Sequence, residues 1–130
     1  MCGRPWNVRR CVPSSDPVQR FTDIIENIGH IERFTRGLDA NTFAENDQAI
    51  FAVKYALVII SEAAIKLGDT AAALQPDVPW REIRGLGNRL RHAYDTIDLT
   101  RIRLLIERDL PPLKAACQDA LLKLSQGGSP

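Results

Sequence analysis

Cysteine, histidine and aromatic residues are scarce in this 130-residue chain, and their scarcity argues against several protein classes. Cys2, Cys11 and Cys117 share no metal-ligand spacing, and neither His30 nor His92 stands near a cysteine. That pattern argues against a disulfide framework and against a zinc site, and fits a reducing cytoplasm. The longest apolar run, Tyr55 to Ile60, falls far short of the roughly 20 residues a membrane span needs. The first residues lack the apolar segment of a signal peptide. There is no strand-type alternation, no internal repeat and no glycine-rich phosphate loop. The net charge is only +1, which excludes a basic coat and confines any nucleic-acid contact to a cleft or an assembled interface.

What is present is helical periodicity. At 45% hydrophobic and 25% charged, the composition is that of an ordinary globular domain long enough for one good core. Met1 to Ser15 has three arginines, two prolines and Trp6 without periodicity, and reads as a disordered leader, with a basic arm as the alternative. Asp16-Pro17 is an N-cap followed by proline at the first helical position. Phe21, Ile24, Ile25, Ile28, Ile31 and Phe34 mark one face of a helix stopping at Gly37. His30, near the end of that helix, reads as a solvated surface histidine. A connector follows, with a helical turn around Thr42 to Ala44 from which Phe43 plugs the core.

A second helix is expected from Asp47 to Ala73, apolar all round at Ala56 to Ile60 and hence buried on several sides. Glu62 within it is either an exposed charge or a buried partner for an arginine. The prolines of Gln75 to Pro79 end that helix, and Trp80 opens the next as a hydrophobic anchor. Asp98 caps a last helix carrying Ile102, Leu105, Ile106, Leu113, Ala116, Leu121 and Leu124, kinked or restarted by Pro111-Pro112 near Asp109. Residues 127–130 read as a frayed tail. The expected architecture is all-α: a leader over 1–15, then one antiparallel up-and-down bundle of four to five helices over 16–126.

The polar chemistry gathers between Trp80 and Asp98. Arg84, Asn88, His92 and Asp95 recur at spacings of four, four and three, and Arg91 projects onto the same helical stripe. Ile83, Leu86, Leu90 and Ala93 fall opposite, with Tyr94 at the border. Cleaving RNA without a metal requires a base for the 2′-hydroxyl proton, an acid for the leaving 5′-oxygen and positive charge on the phosphorane. A histidine serves as acid or base near neutral pH, and a guanidinium presents a fixed fork to phosphate oxygens. One histidine is thin for two proton transfers, so two copies facing across a symmetric interface would help. The bland readings stand beside these: His92 bonding Asp95 or a helix end, Tyr94 as a packed border residue, Arg89 and Arg91 as a solvated face.

The stretch V-P-W-R-E-I-R-G-L-G-N-R-L-R-H-A-Y-D-T-I-D resembles the signature region of the HepT-like (DUF86) proteins of the HEPN superfamily. The similarity extends weakly from Asp16 to Leu124 through the Asp-Pro helix start, Phe43, S-E-A in the second helix and D-L-P after the motif. The resemblance implies a homodimeric ribonuclease toxin of the cytoplasm, needing no cofactor and encoded beside a minimal nucleotidyltransferase antitoxin. It also implies that Tyr94 accepts AMP from that partner, which silences the toxin. In the family's Arg-Asn-x-x-x-His-x-Tyr pattern, Asn88, His92 and Tyr94 match, whereas Gly87 stands at the arginine position. Arg84 and Arg91 are the candidates to return a guanidinium, Asn88 positions substrate, and Asp95 and Glu62 support. The alternative is a non-catalytic binding module for nucleotide, RNA or a partner protein that lost its arginine at Gly87. A glycine inside a helix costs about 1 kcal/mol relative to alanine, so Gly87 implies close approach of a backbone or a ligand.

Overall fold

The computed structural model describes residues 16–92 and 99–126, and every regular element among them is helical. In order these are α1 (Pro17–Thr35), α2 (Ala40–Ala44), α3 (Asp47–Leu67), α4 (Asp69–Leu74), α5 (Trp80–His92) and α6 (Leu99–Leu104). A π-helical turn (Leu105–Asp109) then leads into α7 (Leu110–Ser125). The expected all-α bundle is what forms. The leader over 1–15, the tail over 127–130 and the Asp98 cap lie outside the described residues.

Local chemistry sets most element ends. Asp16 accepts a long 3.5 Å hydrogen bond from the Gln19 amide, Pro17 follows in the first turn, and Gly37 takes φ 80° beyond the last turn of α1. Asp39 and Thr42 form a reciprocal capping box at 2.8 Å each way, and the Thr42 amide, with the Thr42 hydroxyl, donates to the Asp39 carboxyl and holds it below its usual range. Phe43, one residue on, is 1% exposed and plugs the core as expected.

The second long helix is shorter than its periodicity suggested. It stops at Leu67, not Ala73, because Gly68 turns to φ 55°, and α4 restarts at Asp69. At Pro111-Pro112 the helix restarts as expected, α7 beginning at Leu110 directly after Asp109. The prolines sit in the first turn of α7, where no intrahelical donor is required. The Leu110 amide instead reaches back five residues to Leu105 O, which makes the turn before them π-helical.

The core joins Phe21, Ile24, Ile28 and Ile31 of α1 to Val53, Leu57, Ile60 and Ala64 of α3 and to Leu110, Leu113 and Cys117 of α7. Trp80 is buried, meets Phe21 edge-on at 6.3 Å between ring centroids, and donates its indole N–H to Gln75 O at 2.9 Å. Lys114 of α7 pairs with Glu32 of α1 at 3.1 Å. Within the apolar centre of α3, Ala56, Leu57 and Ile60 are buried as expected and Val58 and Ile59 are half-buried, while on the outer side Phe51 and Tyr55 are 72% and 70% exposed. The helix is covered on its inner sides only. On α1, Phe34 likewise reaches the surface, and His30 is half-buried rather than solvated. The His30 ring stacks on Phe34, and its Nδ1 accepts from Arg33 Nη2 at 2.8 Å, which fixes the proton of the neutral ring on Nε2.

Burial pushes the Cys117 thiol up to about 12, so the fold disfavours the thiolate. An unfolded thiol ionises first, so this contribution to stability is complete below about pH 9 and is lost as pH rises towards 12. Denaturant titrations across that window should show a steeper loss for the parent than for Cys117→Ala. Iodoacetamide at about pH 8 should spare the Cys117 peptide in the native state and label it in urea.

Candidate active site

The candidate site is built where α5 crosses α3. Pro79 precedes the first turn of α5, Trp80 anchors it, and Leu90 is buried with Ile83 and Leu86 packed against the core. Those positions orient the remaining residues. Arg84, Gly87 and Arg91, spaced three and four apart, run along the seam with α3, and Asn88 lies on the exposed flank beside it.

Gly87 is buried, and its neighbour is the Ser61 side chain. A Cβ at residue 87 would stand 2.8 Å from Ser61 Oγ and 3.0 Å from Ser61 Cβ, closer than packed atoms tolerate. The glycine in mid-helix does mark a close approach, made by a side chain of α3 and not by a backbone or a ligand. Ser61 is fully buried, yet its hydroxyl is satisfied twice. It accepts from the Gly87 amide at 3.0 Å and donates to Arg84 O at 2.8 Å.

Arg84 returns the contact in the opposite direction. Its Nη2 donates to Gly68 O at 3.0 Å, beside the Ala71 amide that the same oxygen accepts, and its Nε donates to Ala64 O at 3.4 Å, a carbonyl freed where α3 ends. A cation at a helix C-terminus also opposes the negative end of the dipole. Arg84 does not share an open stripe with Asn88, as its spacing suggested. Its guanidinium is spent on α3.

Arg91 and Glu62 form the pair that the sequence left open. Arg91 Nη1 lies 3.3 Å from Glu62 Oε2, with the two side chains 45% and 50% exposed, so Glu62 is an arginine partner but not a buried one. Asn88 is exposed. His92 closes α5, and its side chain, with Tyr94 and Asp95, lies outside the described residues. Sequence reasoning missed Ser61 as a partner of α5. A small polar residue inside an otherwise apolar helical stretch was the available signal.

A family model described as "Ribonuclease HepT-like" matches residues 24–120. A Methanocaldococcus jannaschii protein, provisionally named an RNase, is 36% identical over 92 residues, covering 71% of this chain and 84% of its own length. A Thermococcus cleftensis protein, provisionally named ribonuclease HepT, is 37% identical with the same coverage. No solved structure matches.

The Ser61 contact yields a stability prediction. Gly87→Ala should destabilise the protein by about 1–3 kcal/mol in urea unfolding, despite the better helix propensity of alanine. Adding Ser61→Gly, which removes the opposing side chain, should recover part of that loss. Strict additivity of the two changes would refute the contact.

Proposed function

The chain belongs to the ribonuclease HepT-like family, and from that premise we propose that it is a metal-independent RNA endonuclease. The observation that carries this reading is the N-x-x-x-H-x-Y run of Asn88, His92 and Tyr94. It lies inside the matched span and starts on the exposed flank of α5. In the proposed reaction a histidine takes the proton of an RNA 2′-hydroxyl, and the 2′-oxygen attacks the adjacent phosphorus. The bond to the 5′-oxygen breaks as that oxygen receives a proton, leaving a 2′,3′-cyclic phosphate and a free 5′-hydroxyl. His92 performs the proton transfers, with Asp95 one turn beyond it as the candidate to orient the imidazole. Asn88 holds the substrate, and a guanidinium of α5 meets the charge on the phosphorane.

The active form in this proposal is a homodimer, which places two copies of His92 at one cleft. The exposed stripe of α3 supports it: Phe51, Tyr55 and Ile65 are open, with half-buried Val58 between them, beside the Glu62–Arg91 pair. An apolar helical stripe of this kind is suited to burial against a second copy. The biological role we propose is that of a cytoplasmic toxin, restrained by a minimal nucleotidyltransferase antitoxin that adds AMP to Tyr94. The added negative charge would oppose entry of RNA phosphates. Among the described residues no helix is long and apolar enough to cross a membrane.

A non-catalytic binding module is the second reading, and Gly87 at the family's arginine position is what favours it. The room that this glycine leaves is filled by Ser61, so no ligand is required to explain it.

Cleavage of total RNA in EDTA separates the readings. The parent should leave 2′,3′-cyclic ends, and His92→Ala should lose at least about a hundredfold in rate. Equal cleavage by the two would sink the assignment of His92, and no cleavage by the parent would favour the binding module. In sedimentation the parent should be dimeric. Phe51→Glu/Tyr55→Glu should be monomeric and depleted in cleavage by tenfold or so, since a charge on each exposed face opposes docking while sparing the core.

A further inference from the structure

α5 carries several arginines, and their surroundings differ. Arg84 is consumed by the Gly68 and Ala64 carbonyls. Arg89 folds back over Gly85, its Nη1 standing 3.6 Å from where a Cβ of that residue would be. Arg91 folds back in the same way over Gly87, with Nη2 3.8 Å from the corresponding point. Side chains on a helix lean towards its N-terminus, so a guanidinium at position 91 comes to lie beside residue 87. Ser61 fills the place a side chain at 87 would take, and the Arg91 guanidinium lies beside that contact. Arg91 thus brings a cation to the edge of the α3–α5 seam.

The other arm of Arg91 meets Glu62, and that contact is weak. It is a single 3.3 Å approach rather than a two-pronged one, between side chains about half exposed. An ion pair in that setting contributes little. A phosphate offers the same guanidinium two parallel, charge-assisted bonds. Glu62 therefore sits as an anion where another anion binds better, on an arginine whose side chain is 45% exposed.

Resting on the ribonuclease reading, we propose that Arg91 is the phosphate-binding cation of the site and that Glu62 competes with RNA phosphate for it. Glu62 sets the affinity of the site for the phosphates of a strand. Arg89 is the matched control, with the same recoil over a glycine and no carboxylate partner among the described residues.

The test uses the full chain and a single-stranded 2′-O-methyl RNA oligonucleotide, which lacks the attacking hydroxyl and so reports binding alone. Arg91→Ala should weaken binding about tenfold and reduce the slope of log K against log salt by about one. Arg89→Ala should do clearly less. Glu62→Gln should tighten binding about threefold to fivefold in the parent and change nothing in the Arg91→Ala background. Both positions are half exposed, so these variants keep the fold. Glu62→Gln acting equally in both backgrounds would reduce Glu62 to a general field effect and overturn the proposal. So would an Arg91→Ala no weaker than Arg89→Ala, or a parent that does not bind the probe. On a cleavable strand, Arg91→Ala should slow cleavage about a hundredfold or more. Unchanged cleavage overturns Arg91 and leaves the ribonuclease reading standing. A parent that cleaves nothing overturns the ribonuclease reading, and the binding arms still decide Arg91.

Discussion

The contact between Ser61 and Gly87 is the constraint on which the geometry of α5 depends. Two helices approach as closely as the side chains between them allow. With a serine facing a glycine, the hydroxyl reaches the opposing backbone and binds both a carbonyl and an amide there. A hydroxyl in an apolar core is costly unless it is satisfied, so the same two bonds that fix the helix also make the serine tolerable. They pin the backbone at residues 84 and 87, directly before Asn88 and one turn before Arg91 and His92.

The break at Gly68 belongs to the same arrangement. Had α3 run on into α4, its carbonyl at Ala64 would have been taken by the following turn. Ending the helix there frees Ala64 O, and Arg84 reaches across from α5 to take it together with Gly68 O, which also accepts from the Ala71 amide. One helix thus puts a hydroxyl onto its neighbour's backbone, and the neighbour puts a guanidinium onto the first helix's end. The two contacts lie on either side of one turn of α5 and together resist sliding as well as rotation.

Features governed by neighbours in the chain were legible in the sequence. Asp16-Pro17, Phe43, Trp80 and Pro111-Pro112 each mark what they were expected to mark, because caps, plugs and proline act within a turn or two. Gly68 was hidden by the helix-forming residues on both sides of it, Ala71 to Ala73 above all. The exposure of Phe51 and Tyr55 on the outer side of α3 was not legible, because hydrophobic side chains say that a face is apolar, not that a partner covers it within the same chain. Gly87 was readable as a close approach, since a glycine in mid-helix needs a reason, but no local pattern could name Ser61, 26 positions away, as that reason. The partner of Arg84 was out of reach for the same cause. A stripe drawn from spacing treats all its residues as equally free, and tertiary contacts had already claimed one of them.

That unequal freedom matters because the chain has almost no net charge to spend on steering an anion. Attraction must come from single cations in the right place, and the value of each depends on what already holds it. Arg84 is part-buried on two carbonyls, and removing it would strip Ala64 O of its side-chain donor and break the link to Gly68, so it cannot be lent to a substrate without loosening the seam. Arg91 is held by one exposed carboxylate at 3.3 Å, and letting go costs little. The two arginines differ by seven positions, two helical turns along one seam, and the difference in burial separates a cation that builds the support from a cation that the support displays.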